Sequence, residues 1–429
     1  MRNNKFLQST LILIIGGMIT KVLGFVIKII YTRIIGEQGV ALYTLVMPTY
    51  SLLLTIAQLG LPVAISKLVA EEKRSSQRIA FSIIPVMIIL NVVVILAIIF
   101  CSPLIATYLL NKSEAQYLIV AMALTLPFVS MTSILKGYFY GKQRMIPHTI
   151  ANVSEQIVRL ILIILVLPAL IKVNILTAIV GMILLNIIAE IAQGTAFMFF
   201  LPKKWKIHKD EIKPDVSTVK DVMSLSLPTT SSRFIGNIGY FFEPIILTQL
   251  LLFSGYSSDF IIMEYGAFNA YALQTLLLPS FFIAAISSAL IPEISKFQAA
   301  GNNDMVKRRF KQAMLISFVL GLFFSIAIFF FADNLLMILY NTSAGTNYMK
   351  VLIPFFVLFY LEGPLISMLQ AIGKADVTMK ITFWGMLLKL AVLAIGSLCH
   401  IGIYGLVISE IVNIIFVVVL NYKEIKKYI

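Results

Sequence analysis

The chain has 429 residues, 59% of them hydrophobic and 13% charged, with a mean hydropathy of +0.95, a balance that no water-soluble globular domain carries, so its solvent is lipid. A net charge of +14 would suit a nucleic-acid binder, but the placement of the basic residues along the chain argues for a membrane topology instead and leaves no nucleic-acid partner. Cys101 and Cys399 do not form a disulfide framework, and His148, His208 and His400 have no metal-ligand spacing, so neither a metal nor another cofactor is expected.

A helix needs about 20 apolar residues to cross a hydrocarbon core of about 30 Å. Twelve stretches of the sequence are long enough, and the first six are predicted over 7–35, 41–66, 80–109, 117–140, 147–171 and 174–201. The other six follow over 222–252, 265–292, 312–332, 349–372, 381–398 and 403–421. The expected fold is all-α and polytopic: an N-terminal six-helix lobe at 1–202, a cytoplasmic connection at 203–220 and a C-terminal six-helix lobe at 221–429. Arg2 and Lys5 precede the first stretch as in a signal peptide, but no small-residue cleavage site follows and Lys21 and Lys28 lie inside it. It is read as span 1.

Between the stretches, Lys and Arg fall almost entirely on one side. Lys67, Lys73, Arg74 and Arg78 share that side with Lys142 and Arg144, the run from Lys203 to Lys220, the run from Lys296 to Lys311, and Lys423, Lys426 and Lys427. Arg33, Lys112, Lys172 and Lys350 fall on the other. The rich side is cytoplasmic by the positive-inside rule, which places both termini inside.

The two halves repeat one another in order. Lys21-Val22-Leu23-Gly24 in span 1 matches Arg233-Phe234-Ile235-Gly236 in span 7, and Pro62 to Lys67 matches Pro292 to Lys296. Pro127-Phe128-Val129-Ser130-Met131 matches Pro364-Leu365-Ile366-Ser367-Met368, with Gly141-Lys142 and Gly373-Lys374 following. Halves of six spans share one topology and permit alternating access by rocking about a central cavity.

A charge near the bilayer centre costs roughly 2.5 to 3.5 kcal/mol, so one that persists there faces protein, water or cargo. In span 1, Gly17, Lys21, Gly24 and Lys28 step by 4, 3 and 4 residues, which places them on one helical stripe. Span 7 repeats this with Thr230, Arg233, Asn237, Tyr240 and Glu243. The functional reading is a cavity that binds an anionic group such as a phosphate or pyrophosphate through Lys21, Lys28, Arg233, Asn237, Tyr240 and Glu243. The structural alternative is snorkelling, strongest for Lys28 and Arg33, which lie near the outer end of span 1. Glu155 and Arg159 form an i, i+4 pair that is either an ion site or a structural pair, with mutual neutralisation favoured. Glu190, Glu362, Lys389 and Glu410 carry the same two readings, ion ligand or inter-helix pair.

No phosphate-binding loop is encoded; Gly137-Tyr138-Phe139-Tyr140-Gly141-Lys142 has the wrong spacing and lacks the Ser or Thr. No Ser/His/Asp grouping can be assembled either, and the chain is not expected to be an enzyme.

Lys28 to Gly39, Leu42-Tyr43 and Gly60-Leu61-Pro62-Val63-Ala64-Ile65-Ser66-Lys67 resemble the polysaccharide transporter branch of the multidrug and oligosaccharidyl-lipid flippase superfamily, within it the stage V sporulation protein B-like group. Gly137 to Gly141, Glu155 to Arg159, Pro292 to Ser295 and Leu369 to Gly373 extend the resemblance over nearly the whole chain. It implies a flippase in the bacterial plasma membrane that moves an undecaprenyl-linked oligosaccharide or peptidoglycan precursor, serving envelope polysaccharide or spore cortex synthesis. The implied partners are that lipid-linked saccharide, membrane lipids and envelope-synthesis enzymes. Related lipid II flippases place arginines in the cavity from spans 1, 2 and 8; here spans 2 and 8 have none inside, and Lys21, Lys28 and Arg233 stand in. Two alternatives keep the fold: a cation-coupled multidrug exporter, whose cavity would present acidic and aromatic residues, and a non-transporting scaffold for envelope or spore assembly.

Overall fold

A computed structural model of the chain describes residues 2–72, 74–202 and 215–428, and their side chains except at 2–11, 13, 14 and 232. Most of the expected 203–220 connection, with His208, lies outside the described residues. Regular structure among the described residues is helical throughout.

Among the described residues, eleven helical stretches are long and apolar enough to cross a membrane, and the first, Ile15–Glu71, has 57 residues. At 1.5 Å per residue it measures about 85 Å, nearly three times the hydrocarbon thickness, so it holds spans 1 and 2. They part at Gly36, whose φ of 68° and ψ of −178° only glycine adopts without strain. The all-α, polytopic expectation is met.

The helices are α1 (Arg2–Gln58), α2 (Leu61–Glu71), α3 (Ser76–Pro103), α4 (Ala115–Gly141), α5 (Met145–Leu170), α6 (Ile175–Phe199), α7 (Val216–Phe253), α8 (Ser258–Gly266) and α9 (Leu273–Leu276). They continue with α10 (Ser280–Ala299), α11 (Asn303–Phe330), α12 (Ala332–Tyr340), α13 (Thr346–Ala371), α14 (Ala375–Leu398) and α15 (Tyr404–Ile425). The stretch expected as one span over 265–292 is broken: α8 runs through a π-helical turn at Ala267–Ala272 into α9, and α10 restarts at Ser280 after Pro279. Pro279 is the N-cap residue of α10, a place where its missing amide donor costs the new helix nothing.

The chain forms two compact units, one of Met1–Gly39 with Val46–Phe241 and one of Val40–Leu45 with Phe242–Ile429. The division falls inside α7. In the first unit α4 is the centre and packs against α2, α3, α5 and α6, while α5 also packs on α6. In the second, α13 is the centre and packs against α10, α11, α14 and α15, while α14 packs on α15. Helix for helix the pattern is the same, and the repeated Pro127–Met131 and Pro364–Met368 segments lie on the two central helices. Small residues let the helices close up. A Cβ on Gly137 of α4 would sit 2.8 Å from Ile65 of α2, and one on Gly363 of α13 would sit 2.6 Å from Ser287 of α10.

Candidate functional site

The glycine face of α1 fixes how its cations are presented. A Cβ on Gly16 would lie 2.3 Å from Thr149 of α5, and one on Gly24 would lie 3.8 Å from Gln156. Contact positions rise together along both helices, so α1 and α5 run in the same direction, as first and fifth spans must. Gly17 meets nothing within 4 Å and Lys21 is exposed, whereas Lys28, two turns further on, is half-buried. The stripe therefore climbs from an open surface to a partly covered one.

On α7, Arg233 is exposed and a Cβ on Gly236 would meet nothing within 4 Å. Asn237 donates to the Thr55 hydroxyl at 2.6 Å, which itself donates to the Ser51 carbonyl at 3.0 Å. Tyr240 is half-buried. Lys21, Lys28, Arg233, Asn237 and Tyr240 all belong to the first unit. Glu243 belongs to the second, where it is buried, 2.7 Å from Lys389 Nζ, and accepts from the Tyr265 hydroxyl at 3.3 Å. Lys389 also lies 2.6 Å from Glu410, and Glu362 is within electrostatic reach of Glu410.

The i, i+4 pair on α5 is closed: Arg159 donates to Glu155 at 2.6 Å. It is one end of a buried polar chain. Gln193 of α6 donates to Glu155 at 2.6 Å and to Asn152 at 2.7 Å. Asn152 and the Tyr140 hydroxyl meet His148 Nε2 at 3.1 and 2.7 Å. Between α4 and α6, Thr132 donates to Glu190 at 2.7 Å. His148, Asn152, Glu155 and Arg159 step by 4, 3 and 4 residues, the same stripe rule that singled out span 1, so this chain was readable from spacing except for its partners on α4 and α6.

The membrane-embedded cations thus sort into two kinds. Arg159 and Lys389 are neutralised by glutamates. Lys28 and Arg233 have no carboxylate partner among the described residues. No group of His, Cys, Asp and Glu able to hold a metal occurs among the described residues either.

A further cluster, unseen in the sequence reading, sits at the base of α7. Arg74 donates to Asp215 at 2.7 Å, Asp221 at 2.6 Å, Ser217 at 2.8 Å and the Thr218 hydroxyl. Asp215 caps α7 by accepting from the amides of Thr218 and Ser217 at 3.1 and 3.3 Å. Hydrogen bonds from the Thr218 and Ser217 hydroxyls hold its carboxyl well below the usual range. The capping sequence Asp215-Val216-Ser217-Thr218 is legible, but its link to a loop 141 residues earlier is not.

The family described as polysaccharide biosynthesis protein matches residues 6–298, and the MatE family matches 244–395. The chain is 35% identical to stage V sporulation protein B of Bacillus subtilis over 438 residues, covering 100% of this chain and 85% of that one. A shorter match, 29% over 172 residues, links 37% of this chain to 32% of the lipid II flippase MurJ of the same organism. In fold it is similar to a multidrug resistance MATE transporter of the MOP superfamily solved in an inward-facing conformation, with a TM-score of 0.75 at 16% identity over 94% of this chain and 93% of that one. The chain is a multi-pass membrane protein that belongs to the polysaccharide biosynthesis protein family, in the stage V sporulation protein B-like group of the MOP flippase superfamily.

Proposed function

We propose that the protein flips an undecaprenyl-linked oligosaccharide or peptidoglycan precursor across the bacterial plasma membrane by alternating access, with both termini in the cytoplasm. The observation that carries this reading is the balance of the embedded cations: Lys28 and Arg233 of the first unit lie within membrane-spanning helices with no carboxylate partner among the described residues, whereas Arg159 of the first unit and Lys389 of the second are neutralised. Uncompensated charge in a low-dielectric site favours an anionic ligand, and a pyrophosphate presents several acceptor oxygens to Lys and Arg donors. Lys21, Asn237 and Tyr240 share that unit and complete the proposed cargo surface, while Glu243 serves the second unit through Lys389. The lobes 1–202 and 221–429 are the bodies that rock, and 203–220 is their cytoplasmic link. The 35% identity to a sporulation protein supports a role in spore cortex or envelope polysaccharide synthesis, with envelope-synthesis enzymes as partners.

No nucleotide site is encoded, so the driving force is an ion gradient, the membrane potential or removal of the product. An anion moving outward gains about 2.3 kcal/mol per charge for each 100 mV of inside-negative potential.

A second reading, export of an organic cation, draws on the two glutamates that share Lys389 in the second unit and on the MatE match. Depletion in the native bacterium discriminates between them. A lipid-linked saccharide should accumulate in the inner leaflet, and its absence together with new sensitivity to cationic compounds would replace the first reading by the second.

A further inference from the structure

Hydropathy starts the ninth span at 312, yet α11 begins at Asn303. Asn302 makes the difference, its side chain accepting from the Met305 amide at 3.1 Å and so capping the helix. The basic run Lys307-Arg308-Arg309-Phe310-Lys311 becomes helical, and the helix sorts it by face. Arg309 turns to α10, 2.9 Å from Glu293. Lys307 and Lys311 turn the other way and line a groove of about 460 Å³ together with Phe310, Met314 and Phe318.

The opposite wall is the end of α15, with Tyr422 and Lys426, whose ammonium lies 4.8 Å from the Tyr422 ring centroid. Leu361 of α13 lines it from between, because α13 packs against both α11 and α15. Three lysines gather at one end of an otherwise apolar slot, and no carboxylate among the described residues lines it. Lys307 and Lys311 have no ion pair among the described residues. From Lys307 to Phe318 the helix rises about 16 Å, close to half of the ~30 Å hydrocarbon core, the depth of a single leaflet.

We infer that this groove holds one anionic phospholipid of the leaflet facing the basic end, its phosphate on Lys307, Lys311 and Lys426 and an acyl chain along Met314, Phe318 and Leu361. A basic pocket between membrane helices is the arrangement that binds anionic headgroups. The lipid fills the seam between α11 and α15 and ties the second unit together. It is distinct from the cargo and from the cations of α1 and α7.

The test is lipid titration of the purified full chain in neutral detergent, read by native mass spectrometry and by thermal unfolding. Phosphatidylglycerol should bind and raise Tm, and phosphatidylcholine should do neither. Lys307→Gln with Lys311→Gln should weaken phosphatidylglycerol binding about 25-fold, at about fivefold per lysine. Met314→Trp keeps the charge, fills the slot and should also weaken binding, whereas Lys296→Gln with Lys380→Gln, outside the groove, should not. Equal binding of the two phospholipids, or undiminished phosphatidylglycerol binding by the double lysine variant, would overturn the assignment. So would glycerol phosphate binding as tightly as the whole lipid, or a polyprenyl phosphate displacing phosphatidylglycerol at equal concentration, which would give the groove to the cargo.

Discussion

Lys389 of α14 stands between two carboxylates, 2.7 Å from Glu243 of α7 and 2.6 Å from Glu410 of α15. The lysine joins three helices of the second unit, and each partner is costly to leave alone in an apolar surrounding. Lys389→Met strands both glutamates and should destabilise the protein by about 3–5 kcal/mol. Glu243→Gln leaves a neutral Lys389–Glu410 pair and should be milder, about 1–3 kcal/mol. Unfolding in detergent, followed by Tm, checks the order of the two variants, and a Lys389→Met protein as stable as wild type would deny the triad its structural role.

Gly236 of α7 separates a cargo role from a packing role. A Cβ there meets nothing within 4 Å, and Ala in place of Gly in a helix favours folding by about 0.5–1 kcal/mol. Gly236→Ala should therefore keep or raise Tm. If cargo approaches Arg233 closely, the added methyl should lower transport in the same preparation. Unchanged transport would move the cargo away from this face.

Asp215 gives a pH dependence whose sign is fixed. Its folded-state pKa is lowered, first by the Thr218 hydroxyl and then by that of Ser217, so the stability it contributes is present above the ordinary carboxylate pKa of about 4. That stability is lost as pH falls through the lowered value. Asp215→Asn should lower Tm at pH 7, and the gap to wild type should narrow as pH falls below about 4. A gap that stays constant down to pH 2.5 would assign the effect to the cap alone and not to the charge facing Arg74.

Orientation is testable without knowing the cargo. On a background lacking Cys101 and Cys399, both free and exposed, cysteines at Ser75 and Asn303 should be shielded from an impermeant thiol reagent in intact cells. One at Ser257 should be labelled. Labelling of Asn303→Cys from outside would reverse the second half.

The helical spans were legible because lipid demands long apolar runs, and their repeat because the Pro127–Met131 and Pro364–Met368 segments recur on the two central helices, α4 and α13. Boundaries set by side-chain caps were not: Asn302 and Asp215 start α11 and α7 several residues before hydropathy does. The Glu155–Arg159 pair was legible because it is local to one helix turn. Lys389 with Glu243 was not, since the residues are far apart in sequence and each alone reads as an ion ligand or a structural charge. Glu243 continues the α7 stripe by spacing, yet its side chain belongs to the other unit, because the division falls between Phe241 and Phe242. Sequence periodicity carries straight across such a boundary.

The central claim is that cations of α1 and α7 hold an anionic, lipid-linked cargo, and reconstituted flipping of a lipid-linked saccharide pyrophosphate, normalised to folded protein, tests it most directly. Arg233→Ala, Lys28→Ala and Lys21→Ala should each remove a charge-assisted contact worth about 1.5–3 kcal/mol, a ten- to hundredfold loss. Arg233→Lys should retain substantial flipping and Arg233→Glu should abolish it, with Tm unchanged in both. Flipping at the wild-type rate per folded molecule by Arg233→Ala and Lys28→Ala together would contradict the account.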